Sequence, residues 1–177
     1  MAKKFNIAEL LPESERVSDS DTLEIREIPW EKIRANDANF YGVRDVEDLK
    51  KSIEMHGLLD PIVVTPAAED GFYTLISGHR RHKAWGELRQ EDPEKYAAIP
   101  AIVRSFGSSA MAELALIMAN SSARVLTAPE ISRQAERVEM LLYDLKEQGY
   151  EFSGRMRDQV AKACQVSSSK LARLKVI

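Results

Sequence analysis

Leu75-Ile-Ser-Gly-His-Arg-Arg-His-Lys-Ala84 sets two histidines, two arginines and a lysine directly behind a glycine, at the end of an apolar run. Just upstream, Phe72-Tyr-Thr-Leu-Ile76 is aromatic and β-branched in character, which suits a strand. Downstream, Ala84, Trp85 and Leu88 recur at helical spacing with charged residues around them. The stretch therefore spans a strand-to-helix junction with Gly78 at the joint. A glycine there lets backbone come close to a ligand, and the free N–H groups of a first helical turn attract anions. Arg80, Arg81 and Lys83 add charge-assisted donors where a phosphate would sit. On these grounds two readings stay open, a phosphate site and a merely solvated basic turn. The second runs against the helix dipole, which favours acidic residues at that end by roughly 0.3–1 kcal/mol each. No Gly-x-x-x-x-Gly-Lys-Ser/Thr loop or Gly-x-Gly-x-x-Gly fingerprint supports the first.

Working outward, Pro61-Ile-Val-Val-Thr65 is a second β-type run, and Ala67-Ala-Glu-Asp-Gly71 has the composition of the turn that makes the two a hairpin. Leu23-Glu-Ile-Arg-Glu-Ile-Pro29 alternates apolar and charged residues and predicts a short strand with one wet face. Val46, Leu49 and Ile53 predict an amphipathic helix, with Asp45 as N-cap and Gly57 as its stop. Ile99-Pro-Ala-Ile-Val103 reads as another strand, and Ser108 or Ser109 as the cap of a helix carrying Met111, Leu114, Ala115 and Met118. Thr127-Ala-Pro-Glu130 has the form of a capping box opening a long helix to about Gln148. Gly149 and Gly154 flank what reads as a short connection to two compact helical pieces.

The bulk numbers bound the reading. At 177 residues, 44% hydrophobic and 30% charged, the chain suits one folded domain or a domain with a small appendage. It has no run of about 18 apolar residues and no apolar secretory leader, so no membrane partner is expected and the default compartment is the cytoplasm. The single Cys164 cannot form an intrachain disulfide and reads as a small core residue. A net charge of −3 argues against coating nucleic acid by bulk charge. The distribution is uneven: residues 1–30 hold four basic and seven acidic side chains, whereas residues 153–177 hold six basic and one acidic. The basic end marks a localised polyanion site. Residues 1–21, acidic and without sustained periodicity, read as a mobile arm.

Gly57-Leu-Leu-Asp-Pro-Ile-Val-Val64, Ile76-Ser-Gly-His-Arg-Arg-His-Lys-Ala84 and Ile99-Pro-Ala-Ile-Val103, in that order and spacing, resemble the N-terminal domain of ParB-type partition proteins, also called the ParB-like nuclease domain. The family usually reads Gly-Leu-x-Gln-Pro-Ile in the first block and Gly-Glu-Arg-Arg-x-Arg-Ala in the second. The resemblance implies a small α+β domain with a mixed sheet, of the ParB/sulfiredoxin-like kind, and a nucleotide-phosphate site holding CTP, with Mg2+, through Gly78, His79, Arg80 and Arg81. A third block, commonly Glu-Asn-x-Gln-Arg, is similar to Ala115-Leu-Ile-Met-Ala-Asn-Ser-Ser-Ala-Arg124 and would add Asn120, also on the metal side, and Arg124. Asp60 stands for the family's glutamine, His79 for its glutamate and Lys83 for its last arginine. Alanine fills the third block's carboxylate place, which weakens a hard-cation site. CTPase or nuclease activity is thereby left in doubt, while nucleotide binding stands. Sulfiredoxin chemistry is excluded, because His79 replaces the required cysteine thiolate.

Arg157 to Leu174 carries helix-turn-helix spacing, with Val160 and Ala161 in a first helix, Val166 past a turn, and Leu171 and Leu174 in a second. Gln165 occupies the turn position where many such motifs carry glycine. Ser167, Ser168, Ser169, Lys170 and Arg173 open or face outward from the second helix, where DNA phosphates and base edges would be met. The alternative is a helical hairpin with a solvated basic face. Together these readings divide the chain into an arm (1–21), a ParB-like domain (22–125) and a helical region (126–177) with the helix-turn-helix at about 156–176. The resemblance implies double-stranded DNA as partner, a homodimer closing as a clamp, a partition ATPase partner, nucleoid or plasmid association, and a role in plasmid, mobile-element or chromosome maintenance. A nuclease or phosphotransferase using His79 and His82, and a regulator whose N-domain binds only protein, are the alternatives. The family usually continues into a dimerisation domain, so truncation at Ile177 is a further expectation.

Overall fold

A computed structural model describes residues 3–7, 24–35, 46–123 and 125–174. The chain divides into two compact units, Ser20–Phe106, and Gly107–Ile177 together with Met1–Asp19.

The first unit is built on a mixed sheet. Strands β2 (Ile25–Pro29), β3 (Ile33–Arg34), β4 (Ile62–Val64), β5 (Tyr73–Ser77) and β6 (Ala98–Val103) lie in the order β2-β6-β4-β5-β3. The β4·β5 hairpin and β2·β6 are antiparallel, and β4·β6 and β3·β5 are parallel. Helix α1 (Glu47–His56) and helix α2 (His79–Glu91) pack on each other, and Lys50 reaches from α1 to Glu87 and Glu91 of α2. Ile53, Ile62, Val64, Leu75, Ala84, Trp85, Leu88 and Ile99 form the core, which is where period-two and helical patterning placed them. Gly57 ends α1 at φ 73°, as expected; Asp45, the expected N-cap, lies outside the described residues, and Val46 occupies the cap position.

The second unit is helical. Helix α3 (Ser109–Ala123) starts on Ser108, whose Oγ accepts the Met111 N–H at 3.3 Å. Helix α4 (Ala128–Glu147) opens with the expected capping box, the Thr127 N–H donating to Glu130 at 2.8 Å. Ile131, Ala135, Val138, Leu142 and Leu145 bury the inner face of α4. Glu113 of α3 accepts two hydrogen bonds from Arg137 of α4, at 2.5 and 2.7 Å. Helix α5 (Met156–Ala163) and helix α6 (Ser168–Leu174) complete the bundle.

Besides β3, two further short strands lie outside the sequence expectation. The connection after Gly149 contains β7 (Tyr150–Phe152), and it pairs in parallel with β1 (Lys3–Phe5), inside the stretch read as a mobile arm. Ile7 just beyond β1 is buried. Three-residue strands leave no periodicity to detect, and the pairing joins positions about 147 residues apart (Lys3 with Tyr150). The remainder of that arm is outside the described residues. Among the described residues no helix is long and apolar enough to cross a membrane.

Candidate functional site

Strand β5 delivers the chain to Gly78, which takes φ 93° and ψ 28° and serves as N-cap of α2. Only glycine enters that left-handed region without strain, and here there is no room for a side chain either: a Cβ would lie 2.7 Å from Cγ2 of Ile62. No side chain caps the turn and no acidic residue stands in it. His79, Arg80 and Arg81 thus form a helix start whose first N–H groups have no acceptor within the helix, with two arginine side chains beside them, the combination that attracts phosphate. Arg80 is exposed. Arg81 is half-buried, and its Nη1 donates to the carbonyls of Asp60 at 2.7 Å and Pro61 at 2.8 Å.

The histidines behave differently from the arginines. Burial pushes His79 down to about 4, with the charge of His82 adding to it, and burial alone takes His82 to about 4. Both Nε2 atoms are buried and without a hydrogen-bond partner among the described residues. At neutral pH both rings are uncharged, so the positive character of this turn comes from the arginines and the backbone. Neither ring carries the second proton of an imidazolium near pH 7, so neither is charged there to act as a general acid. His82 packs against Trp30, which also donates its Nε1–H to the His82 carbonyl at 3.1 Å.

The other expected phosphate ligands belong to the helical unit. Asn120 sits near the end of α3 and donates its Nδ2 to the Leu116 carbonyl at 3.1 Å. Beside it, Ser121 donates to Ile117 at 2.9 Å and accepts from the buried Gln134 of α4. Arg124 lies outside the described residues. Among the described residues no group of three or more His, Cys, Asp or Glu could hold a metal ion. A Mg2+ ion that accompanied a nucleotide would be held in part by the nucleotide's own phosphates.

The α5–α6 pair closes through a tight C-terminal motif. Val166 N–H bonds to the Ala161 carbonyl at 3.0 Å and Gln165 N–H to Lys162 at 3.1 Å, with Gln165 at φ 52°. This is the Schellman arrangement, with a glutamine in the place usually taken by glycine. Val160, Ala161, Cys164 and Leu171 are buried between the helices and α4, as read from sequence. Of the five expected contact residues, three make internal side-chain hydrogen bonds: Ser167 Oγ accepts the Lys170 N–H at 3.1 Å, Ser168 Oγ donates to Asp158 at 2.8 Å, and Arg173 Nε donates to the Ser169 carbonyl at 3.4 Å. Ser169, Lys170 and Arg173 are exposed, and so are Arg155, Arg157 and Lys162. Sequence reasoning missed the Arg81 clamp and the Trp30 stack, whose partners lie 20 to 52 residues away. No local pattern signals either.

The pattern of the ParB N-terminal domain family matches residues 14–120, more than half of the chain. The chain belongs to the ParB N-terminal domain family. The nucleoid occlusion protein of Bacillus pumilus is 31% identical over 165 residues, covering 90% of this chain and 52% of that protein. The chain thus spans about half the length of this relative, and 34% of its Bacillus subtilis counterpart. C-terminally truncated chromosome-partitioning protein ParB from Caulobacter crescentus, complexed to the centromeric parS site, is 25% identical with a TM-score of 0.55, over 84% of this chain and 69% of that one. A Pnob8-like ParB-N domain shares the fold, with a TM-score of 0.60 at 17% identity over 88% of this chain and 69% of that one. The ParB match runs past Phe106, where the first compact unit ends, into α3.

Proposed function

We propose that this chain is a DNA-binding ParB-family protein that uses the α5–α6 pair as a helix-turn-helix reader of double-stranded DNA and the start of α2 as a nucleotide-phosphate site. The observation that carries the reading is α6 itself. Leu171 is fully buried while Ser169, Lys170 and Arg173 of the same short helix are exposed, beside the exposed Arg155, Arg157 and Lys162. A basic face on a helix whose opposite side is anchored in a bundle suits phosphate and groove contacts. The Caulobacter relative complexed to parS supports the same partner. For the second site, the support is Gly78 and its two arginines, where the family likeness points to CTP accompanied by Mg2+.

Within the cell such a protein would act on the nucleoid, or on a plasmid, in partition or in nucleoid occlusion, the role named for the Bacillus pumilus relative. Dimerisation, a clamp around DNA and a partition ATPase partner belong to the same proposal. The experiment is duplex binding by fluorescence anisotropy across a salt series. Lys170→Ala and Arg173→Ala should each weaken binding and lower the salt slope by roughly 1. Unchanged affinity and slope in both variants would sink the reader assignment. Calorimetry with CTP and Mg2+ tests the nucleotide half, with no heat as the contrary result.

A further inference from the structure

We infer that Asp158 is a specificity-determining residue of the α5–α6 reader: its carboxylate, held at the start of α6 by Ser168, repels a duplex that would bind through phosphate contacts alone. This rests on the DNA-reader reading above and gives a role to the acidic residue of an otherwise basic end.

Residues 153–177 hold six basic side chains and one acidic one, Asp158. It stands in the first turn of α5, where a carboxylate suits the helix dipole, so local chemistry accounts for an acid there. Local chemistry does not account for its partner. Ser168, at the first position of α6, donates its hydroxyl to Oδ1 of Asp158 at 2.8 Å. The carboxylate is thereby fixed beside the start of the second helix of the pair. In a helix-turn-helix that end of the reader helix meets base edges, while the first helix crosses the backbone. Two anchors hold α6 in this place: Leu171 is fully buried, and Ser167 Oγ accepts the Lys170 N–H at 3.1 Å.

Asp158 is exposed, and among the described residues no cationic side chain forms an ion pair with it. Its negative charge therefore acts on whatever approaches α6. Arg155, Arg157, Lys162, Lys170 and Arg173, all exposed, draw in any duplex, and attraction to phosphate carries no sequence information. A fixed carboxylate among them opposes every complex, but not equally. Where α6 sits deep enough in the major groove for a cytosine amino group to reach the carboxylate, a hydrogen bond offsets the repulsion. Where the duplex rests on phosphate contacts alone, nothing offsets it. Discrimination is a difference of affinities, and a repulsive element that acts in the weaker complex widens that difference.

The test compares wild type, Asp158→Asn and Ser168→Ala by fluorescence anisotropy over a salt series, on two probes: the duplex that wild type enriches from a randomised double-stranded pool, and the unselected pool itself. Asparagine keeps the shape of the side chain and can still accept the Ser168 hydroxyl, so only the charge is lost. Asp158→Asn should bind the unselected pool about two- to fivefold more tightly, with a salt slope steeper by up to about 1, and the ratio of the two affinities should fall. Ser168→Ala keeps the charge but releases it from the start of α6. It should lower the same ratio through weaker binding of the enriched duplex, with the affinity for the pool and its salt slope as in wild type. Thermal melts check that both variants are folded, and each variant decides by itself. An unchanged ratio in either folded variant, weaker binding of both probes by Asp158→Asn, or a wild type that binds the pool and enriches nothing from it overturns the inference alone. No binding of either probe by wild type overturns the DNA-reader reading and this inference with it.

Discussion

Trp30 lies nearly flat on His82, with ring centroids 4.9 Å apart and planes 12° from parallel. The stack closes one side of α2, because Trp30 also packs on Gly86, where a Cβ would stand 2.6 Å from Cζ2 of the indole. Arg89, one turn on, lies over the Trp30 ring at 5.6 Å and pairs with Glu31. The short turn Trp30–Lys32 between β2 and β3 thus packs against His82 and the helix that begins the candidate phosphate site.

Buried, neutral imidazoles make the first unit sensitive to acid. Both folded-state histidines sit at about 4, against 6.5 for an unperturbed side chain. Between those values the unfolded chain binds more protons than the folded one. Stability is therefore full above about pH 6.5 and lost as pH falls towards 4, by up to about 3 kcal/mol per histidine. Urea unfolding across that range should show the loss, and His82→Gln should remove part of the slope. A variant slope equal to that of wild type would contradict the assignment.

Gly78→Ala tests the joint of β5 and α2. Left-handed backbone and the contact with Ile62 should together destabilise by about 2–4 kcal/mol. The penalty should shrink in an Ile62→Ala background, where the clashing methyl is gone, but the φ-dependent part should persist. Thermal melts of the four proteins in the cycle measure both parts.

Gln165→Gly should go the other way. The residue sits at φ 52° at the C′ position of the α5 terminus, where glycine is favoured. A gain of about 0.5–1 kcal/mol is expected, reported as a higher urea midpoint with the same m-value. A lower midpoint would show that the glutamine side chain does more than tolerate the turn.

Ser121→Ala should destabilise the helical unit by about 1–2 kcal/mol, because Gln134 is fully buried and would lose a hydrogen-bond partner. Chemical denaturation measures it. Little or no change would mean that the Gln134 amide readily finds another acceptor.

Much of the architecture was legible before the structure. Ala84, Trp85 and Leu88 announced the buried face of α2, the Ala67–Gly71 turn announced the β4·β5 hairpin, and Thr127 with Glu130 announced the start of α4. Each is a local signal, written within a few residues by periodicity, turn chemistry or capping. β7 escaped because three residues carry no period and its partner β1 lies at the other end of the chain. In the candidate site, Gly78 and the exposed Arg80 were legible as a strand-to-helix joint with a cation beside it. That His79 is held uncharged was not, since it depends on what surrounds the ring.

The sequence by itself determined the helices and the longer strands in their order, the glycine at the joint, the arginines behind it, and the basic helix pair, because all of these follow from contacts and conformational preferences within one or two turns of chain. Only the tertiary structure decided what those residues face. It placed Ile62 against Gly78, turned Arg81 onto the carbonyls of Asp60 and Pro61, and laid Trp30 over His82. Burial and hydrogen-bond partners at those positions come from segments 16 to 52 residues away. They arise from packing the whole chain, which no local pattern encodes.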